Sequence, residues 1–158
     1  MKIQNTIVDN IQNFWKDFFG GSCYAFCLTK YFGNCDDDLA EMAGLILFGL
    51  KKGFIDTDGY VSKPIQYIQS LTTKAPYDVR KISITNLSEL PNDPSGFIVE
   101  YKLDPKSKAS HFVIANSKKV LFDPYGDSNT VKNGKPFTFR AFVYPKGKEG
   151  KGNVLEDW

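Results

Sequence analysis

Gly20-Gly21-Ser22-Cys23-Tyr24-Ala25-Phe26 sets a flexible glycine pair ahead of a cysteine in the first turn of an expected helix. Unpaired N–H groups and the positive end of a helix dipole favour thiolate over thiol at such a position, and the thiolate is the nucleophile. The chain holds one histidine, His111, in the apolar run Ser110-His111-Phe112-Val113-Ile114, and Phe122-Asp123-Pro124-Tyr125-Gly126 follows it. Order and residue types fit a triad of Cys23, His111 and Asp123.

Working outward, the periodicity divides the 158 residues into a helical part, about 1–73, and a sheet part, about 77–144, expected to form one domain. Ile3, Ile7, Ile11, Phe14, Trp15 and Phe18 recur at helical steps and stop at Gly20-Gly21. That segment also resembles the end of a double-glycine leader, but the long remainder with its own candidate triad favours a packing helix. The next helix is expected from Ser22 as N-cap to Phe32, with Gly33 ending it in the left-handed conformation. A third, about 36–50, starts on Asp36-Asp37-Asp38 and turns Leu39, Met42, Ala43, Ile46, Leu47 and Leu50 toward a core. Asp56-Thr57-Asp58-Gly59 reads as a turn, since the spacing of a calcium loop is missing. Ser62 caps or nearly caps a helix with Pro64 in its first turn and Ile65, Ile68 and Leu71 on one face.

From Tyr77 the period becomes two. Val79, Ile82 and Ile84 read as one strand, and 96–103, with Phe97, Val99 and Tyr101 on one face, as another. A turn-rich connection, 87–94, lies between them. Strands 110–116 and 119–122 form a tight antiparallel hairpin whose two ends bring His111 and Asp123 together. Lys132-Asn133-Gly134-Lys135 carries an Asn-Gly hairpin signal before a strand over 137–144, and residues 145–158 read as a loose tail.

Composition narrows the function. Net charge is +2, and of the 20 basic residues only Arg80 and Arg140 are arginines, without a dense run, so nucleic-acid binding is not indicated. Three cysteines without a Cys-x-x-Cys pair, and one histidine, leave only a Cys3His zinc set, and no metal or cofactor is expected. Cys27 reads as a small buried residue, and Cys35 faces acidic neighbours that oppose a thiolate. The odd cysteine count and the charges at Lys2, Asp9, Lys16 and Asp17 predict a reduced, cytoplasmic location without a signal peptide. The longest uncharged apolar run, 42–50, is far short of a membrane span.

Gly-Ser-Cys-Tyr-Ala-Phe at 21–26 resembles the nucleophile segment of papain-like cysteine peptidases. Within that superfamily the likeness is closest to the compact peptidases that cleave double-glycine leaders from bacteriocins. Those show a cysteine helix ending in Tyr-x-Gly, an acidic Leu-Ala helix, and a His-plus-apolar strand before Asp-Pro. Here the counterparts are Tyr31-Phe32-Gly33, Asp38-Leu39-Ala40-Glu41-Met42, Ser110-His111-Phe112-Val113-Ile114 and Asp123-Pro124. The resemblance implies an α+β papain-like fold, with N-terminal helices that carry the nucleophile packed on a C-terminal antiparallel sheet. It implies a thiol amide hydrolase acting on a peptide or peptidoglycan-like substrate through an acyl-enzyme. A binding module without turnover, or an acyl transferase or deamidase on the same triad, are the alternatives.

On this reading His111 holds Cys23 as a thiolate paired with imidazolium, and Asp123 orients the ring. In such a resting pair Asp123→Asn is expected to be tolerated. The family usually has glutamine six residues before the cysteine to bind the oxyanion, whereas this chain has Asp17. Gln12 and Asn13 are the nearest amides, and the Cys23 backbone N–H is a further donor.

Overall fold

A computed structural model describes residues 13–14, 16–36 and 38–154. Most of the helix expected over 3–18, together with Gln12 and Asp37, lies outside the described residues. Residues 13–14 and 16–20 are helical (α1). They are followed by α2 (Cys23–Phe32), α3 (Leu39–Lys51) and α4 (Pro64–Leu71), then β1 (Asp78–Ser83), a 3-10 turn (Leu87–Glu89), β2 (Phe97–Lys102), β3 (His111–Ala115) and β4 (Val120–Phe122). A short helix α5 (Asn129–Asn133) and β5 (Lys135–Val143) complete the set. The protein is thus α+β: helices packed on one five-stranded sheet of order β1-β5-β2-β3-β4, with every pairing antiparallel.

The sheet buries apolar side chains on both faces. Ile98, Ile114 and Phe142 meet α2, α3 and α4 on one side, while Phe97, Val99, Tyr101, Val113, Phe139 and Ala141 form a second core on the other. Helix α2 lies at the centre of the first core. Cys23, Ala25, Phe26, Cys27, Leu28, Thr29, Tyr31 and Phe32 are all buried, so almost its whole circumference is covered. Its buried polar groups find partners: Thr29 Oγ1 meets Tyr67 Oη at 2.6 Å, and Tyr31 Oη donates to Gly96 O at 2.7 Å.

Several local expectations are corrected by these contacts. Ser22 occupies the N-cap of α2, but its hydroxyl donates backward to Phe19 O at 3.1 Å rather than capping the helix. Gly33 is at φ −85°, and Asn34 takes the left-handed conformation at φ 50°. Glycine is still required at 33, because a Cβ would stand 2.5 Å from Thr29 O. Helix α3 starts at Leu39 rather than 36, since the Asp38 carboxylate accepts the N–H groups of Ala40 and Glu41 and so fixes the N-cap. Lys63, not Ser62, is the N-cap of α4, and Ser62 bonds Phe54 O instead.

Val79 and Ile82 lie on opposite faces of β1 and join the two different cores, so that strand does not have one apolar face. The Asn133-Gly134 signal ends α5 rather than turning a hairpin: Gly134 N–H closes on Thr130 O at 2.9 Å. The expected loose tail is tied back over its described part. Phe142 N–H donates to Gly152 O at 2.8 Å, Tyr144 Oη to Lys151 O at 2.6 Å, and Lys151 Nζ to Tyr31 O at 3.1 Å.

The turn at 56–59 forms as expected, with Gly59 N–H bonded to Asp56 O and an isolated bridge between Ile55 and Val61. It presses on the glycine pair. A Cβ at Gly21 would stand 2.0 Å from Asp58 O, and one at Gly59 2.0 Å from Phe18 O. Gly21 is therefore fixed by close backbone approach rather than serving as a flexible joint.

Gly59 and Gly53 offer a paired test, since both have positive φ, 85° and 80°, but only Gly59 is crowded. Gly53→Ala should cost about 1–2 kcal/mol, the backbone strain alone. Gly59→Ala adds a clash with backbone and should cost on the order of 2–5 kcal/mol. Urea unfolding of both variants checks this; equal losses would show that the 56–59 turn does not bear on α1 and α2.

Candidate active site

The β3–β4 hairpin brings the two ends of its sequence together. His111 opens β3 opposite Tyr101, and Asp123 directly follows the last residue of β4. His111 Nε2 and Asp123 Oδ1 are 2.7 Å apart, with both side chains nearly excluded from water. Irregular register at Glu100/Tyr101 on β2 and at Ile114/Ala115 on β3 adjusts the strands on either side of this pair. Because Nε2 is committed to the carboxylate, Nδ1 is the ring nitrogen left for chemistry. It is buried and has no hydrogen-bond partner.

Asp123 is held as an anion. Burial alone would raise its pKa, but Tyr125 N–H at 2.9 Å, His111 and the Ser128 hydroxyl together bring it below the usual carboxylate value.

Cys23 begins α2 and is 6% exposed. Burial raises its pKa, and the N–H groups of Phe112, Tyr24 and Cys23 itself, with the Tyr125 hydroxyl, oppose that rise without cancelling it. Burial thus raises the thiol where the helix start was expected to depress it. Phe112, which follows His111 directly, acts on Cys23 through its backbone, and no hydrogen bond joins the thiol to His111 Nδ1. Cys27 is fully buried and its thiol is pushed well up, first by burial and then by Cys23 and Asp123. Cys35 is also raised, by burial and then Glu41.

Of the three oxyanion candidates, Asn13 and Asp17 are exposed on α1, and Gln12 lies outside the described residues. The residue that sequence reasoning missed is Tyr125. Its ring stacks on His111 with centroids 4.6 Å apart and 22° between planes, and its hydroxyl donates to Gly20 O at 2.6 Å and Phe19 O at 3.1 Å. It spans the site from the Asp123 loop to the end of α1. Burial raises its own pKa, so the hydroxyl remains a donor at neutral pH. The available signal was position, two residues beyond Asp123 in Asp123-Pro124-Tyr125.

A second polar cluster lies behind the site. Glu100 accepts from the hydroxyls of Ser110 and Thr138, Thr138 also accepts from Arg140 Nη1 at 2.6 Å, and Arg140 is 3.7 Å from Glu100. The buried Arg140 guanidinium lies over the Tyr24 and Phe112 rings, the residues next to Cys23 and His111. Among the described residues no group of three His, Cys, Asp or Glu side chains could hold a metal ion, and no helix is long and apolar enough to cross a membrane.

Residues 1–144 match the family described as "Protein of unknown function, DUF261", and the chain belongs to that family. No curated protein and no solved structure matches it.

Two measurements probe the site. Tyr125→Phe breaks the bridge to Gly20 and Phe19 and should speed alkylation of Cys23 by iodoacetamide by up to about tenfold, in keeping with a net hydrogen bond of about 1 kcal/mol. Tyr125→Ala also removes the cover and should react faster than the Phe variant; equal rates would mean the ring does not shield the thiol. For Asp123, a lowered folded pKa means that its stabilisation is complete above the unfolded value, near 4, and is lost as pH falls through the folded one. The stability deficit of Asp123→Ala, followed by urea unfolding from pH 7 to 2, should therefore narrow below about pH 4. A constant deficit would mean the carboxylate is not held as an anion.

Proposed function

We propose that this protein is a papain-like cysteine peptidase, or a related thiol amide hydrolase, acting on a peptide or peptidoglycan-like substrate. The observation that carries the reading is the ordered pairing of His111 Nε2 with Asp123, which leaves Nδ1 without a partner, in a chain whose Phe112, next to His111, acts through its backbone on a cysteine at a helix start.

The raised Cys23 thiol favours a mechanism that starts from the thiol rather than from the expected thiolate. Asp123 accepts a hydrogen bond from Nε2–H, without taking the proton, and so sets the tautomer in which Nδ1 carries a lone pair. As Sγ attacks a substrate carbonyl, the S–H proton moves to Nδ1, the S–C bond forms, and the carbonyl oxygen takes up negative charge. The Cys23 N–H is a donor available to that oxygen. Collapse breaks the C–N bond while Nδ1 returns the proton to the leaving nitrogen. Water then resolves the acyl-enzyme by the same route.

A second reading, a binding module without turnover, is favoured by the low exposure of Cys23 and by Tyr125 bridging to Gly20 over it. Catalysis requires that bridge to open.

The test is cleavage of a mixed peptide library by wild type, Cys23→Ala and Asp123→Asn, with mass-mapped alkylation of the three cysteines. Cys23 should be modified first and Cys23→Ala should be inactive. In a neutral pair an amide at 123 can donate to Nε2 and select the wrong tautomer, so Asp123→Asn should lose more than about a hundredfold in kcat/KM, toward the ten-thousandfold of the serine-protease case. Fastest alkylation at Cys27 or Cys35 would sink the assignment. Clean alkylation of Cys23 without turnover of any peptide would favour the binding module.

A further inference from the structure

A cavity of about 370 Å3 is lined by Tyr24, Phe112, Lys81, Arg140, Val79 and Tyr60 among others. Its volume lies within the range of small-molecule sites, roughly 300–1,000 Å3, and is ample for one extended side chain. Tyr24 and Phe112 connect it to the chemistry, since they adjoin Cys23 and His111 and their N–H groups address the thiol.

The charges are arranged unusually. Lys81 of β1 and Arg140 of β5 are direct cross-strand partners on the helix-facing side of the sheet. Opposed side chains in an antiparallel pair stand about 5 Å apart at Cβ, and like charges there are destabilising. One carboxylate answers the two cations: Glu100, 3.7 Å from Arg140, which also accepts from Ser110 and Thr138. Lys81 is exposed and has no ion-pair partner among the described residues. The cavity therefore carries an excess positive charge, with aromatic and aliphatic walls around it.

We propose that Lys81 and Arg140 form a carboxylate-binding subsite, so that the substrate presents an acidic side chain to this cavity close to the scissile bond. The inference rests on the hydrolase reading. A substrate carboxylate between the two cations relieves their repulsion, Tyr24, Phe112 and Val79 pack its methylenes, and Arg140, buried and held by Thr138, fixes its orientation. Lys81 at the rim adds attraction without fixed geometry.

The experiment uses internally quenched peptides in which one Glu, Gln or Lys is moved through three positions on either side of the central bond, each with amidated and blocked ends. At one position Glu should exceed Gln by at least tenfold in kcat/KM. Lys81→Glu, which changes an exposed side chain and replaces the cross-strand repulsion with an attraction, so that the urea midpoint should hold or rise, should reverse the order there in favour of Lys. A purely structural role for the cations would not produce that reversal. Equal cleavage of Glu and Gln peptides at every position would overturn the subsite while leaving the hydrolase intact. Alkylation of Cys23 without cleavage of any peptide would overturn the hydrolase reading and the subsite with it.

Discussion

Burial of α2 on nearly every side is the constraint on which the rest depends. A helix covered all round cannot contribute polar side chains freely, and α2 meets this with small or apolar residues apart from Thr29, Tyr31 and Lys30. The two buried hydroxyls are each matched, Thr29 to Tyr67 on α4 and Tyr31 to Gly96 ahead of β2. These bonds, worth about 1 kcal/mol each, fix the helix axially as well as laterally. Its first residue is then delivered to a set place: against β3, where Phe112 N–H meets the thiol, and under the 56–59 turn that holds Gly21.

The same burial sets the chemistry of Cys23. A helix start favours thiolate, but excluding the sulfur from water favours thiol, and here the second effect is larger. The backbone N–H groups of Phe112, Tyr24 and Cys23 and the Tyr125 hydroxyl lower the thiol without reversing that balance. The missing Cys23–His111 hydrogen bond and the Tyr125 bridge to Gly20 belong to one closed arrangement: the stacked ring that covers the imidazole also reaches across the thiol.

Much of the site was legible because it depends on local sequence rules. The His111 and Asp123 pairing follows from a short hairpin, whose geometry leaves little freedom once both strands are recognised. The start of α2 followed from glycine placement and the apolar run. What escaped reading depends on tertiary contact. Tyr125 gains its role only from the contact of its loop with the end of α1. Asn133-Gly134 carries a strong hairpin signal, but Ser128 caps Val131 N–H and draws the preceding residues into α5. Val79 and Ile82 defeat the alternation rule because both faces of the sheet are buried, so an apolar residue is acceptable on either. The Lys- and Gly-rich tail reads as loose by composition, yet its backbone supplies acceptors to Phe142 and Tyr144.

Arg140 and Glu100 escaped for another reason: a single arginine and a single glutamate in strands carry no sequence signal, and only packing reveals that they are buried together. Removing two charges from water costs several kcal/mol per ion, and a close pair in a protein interior recovers that only with good geometry and further hydrogen bonds. At 3.7 Å the contact between them is loose, and the short bonds go to Thr138 and Ser110 instead. A loose pair of this kind is weak evidence for a stabilising role. What the pair does secure is orientation: Glu100 anchors Ser110 immediately before His111, and Arg140 lies over the rings immediately after His111 and Cys23. The buried charges thus brace the two strands and the helix end on which the candidate triad stands, and the guanidinium they hold in place borders the cavity into which a substrate would reach.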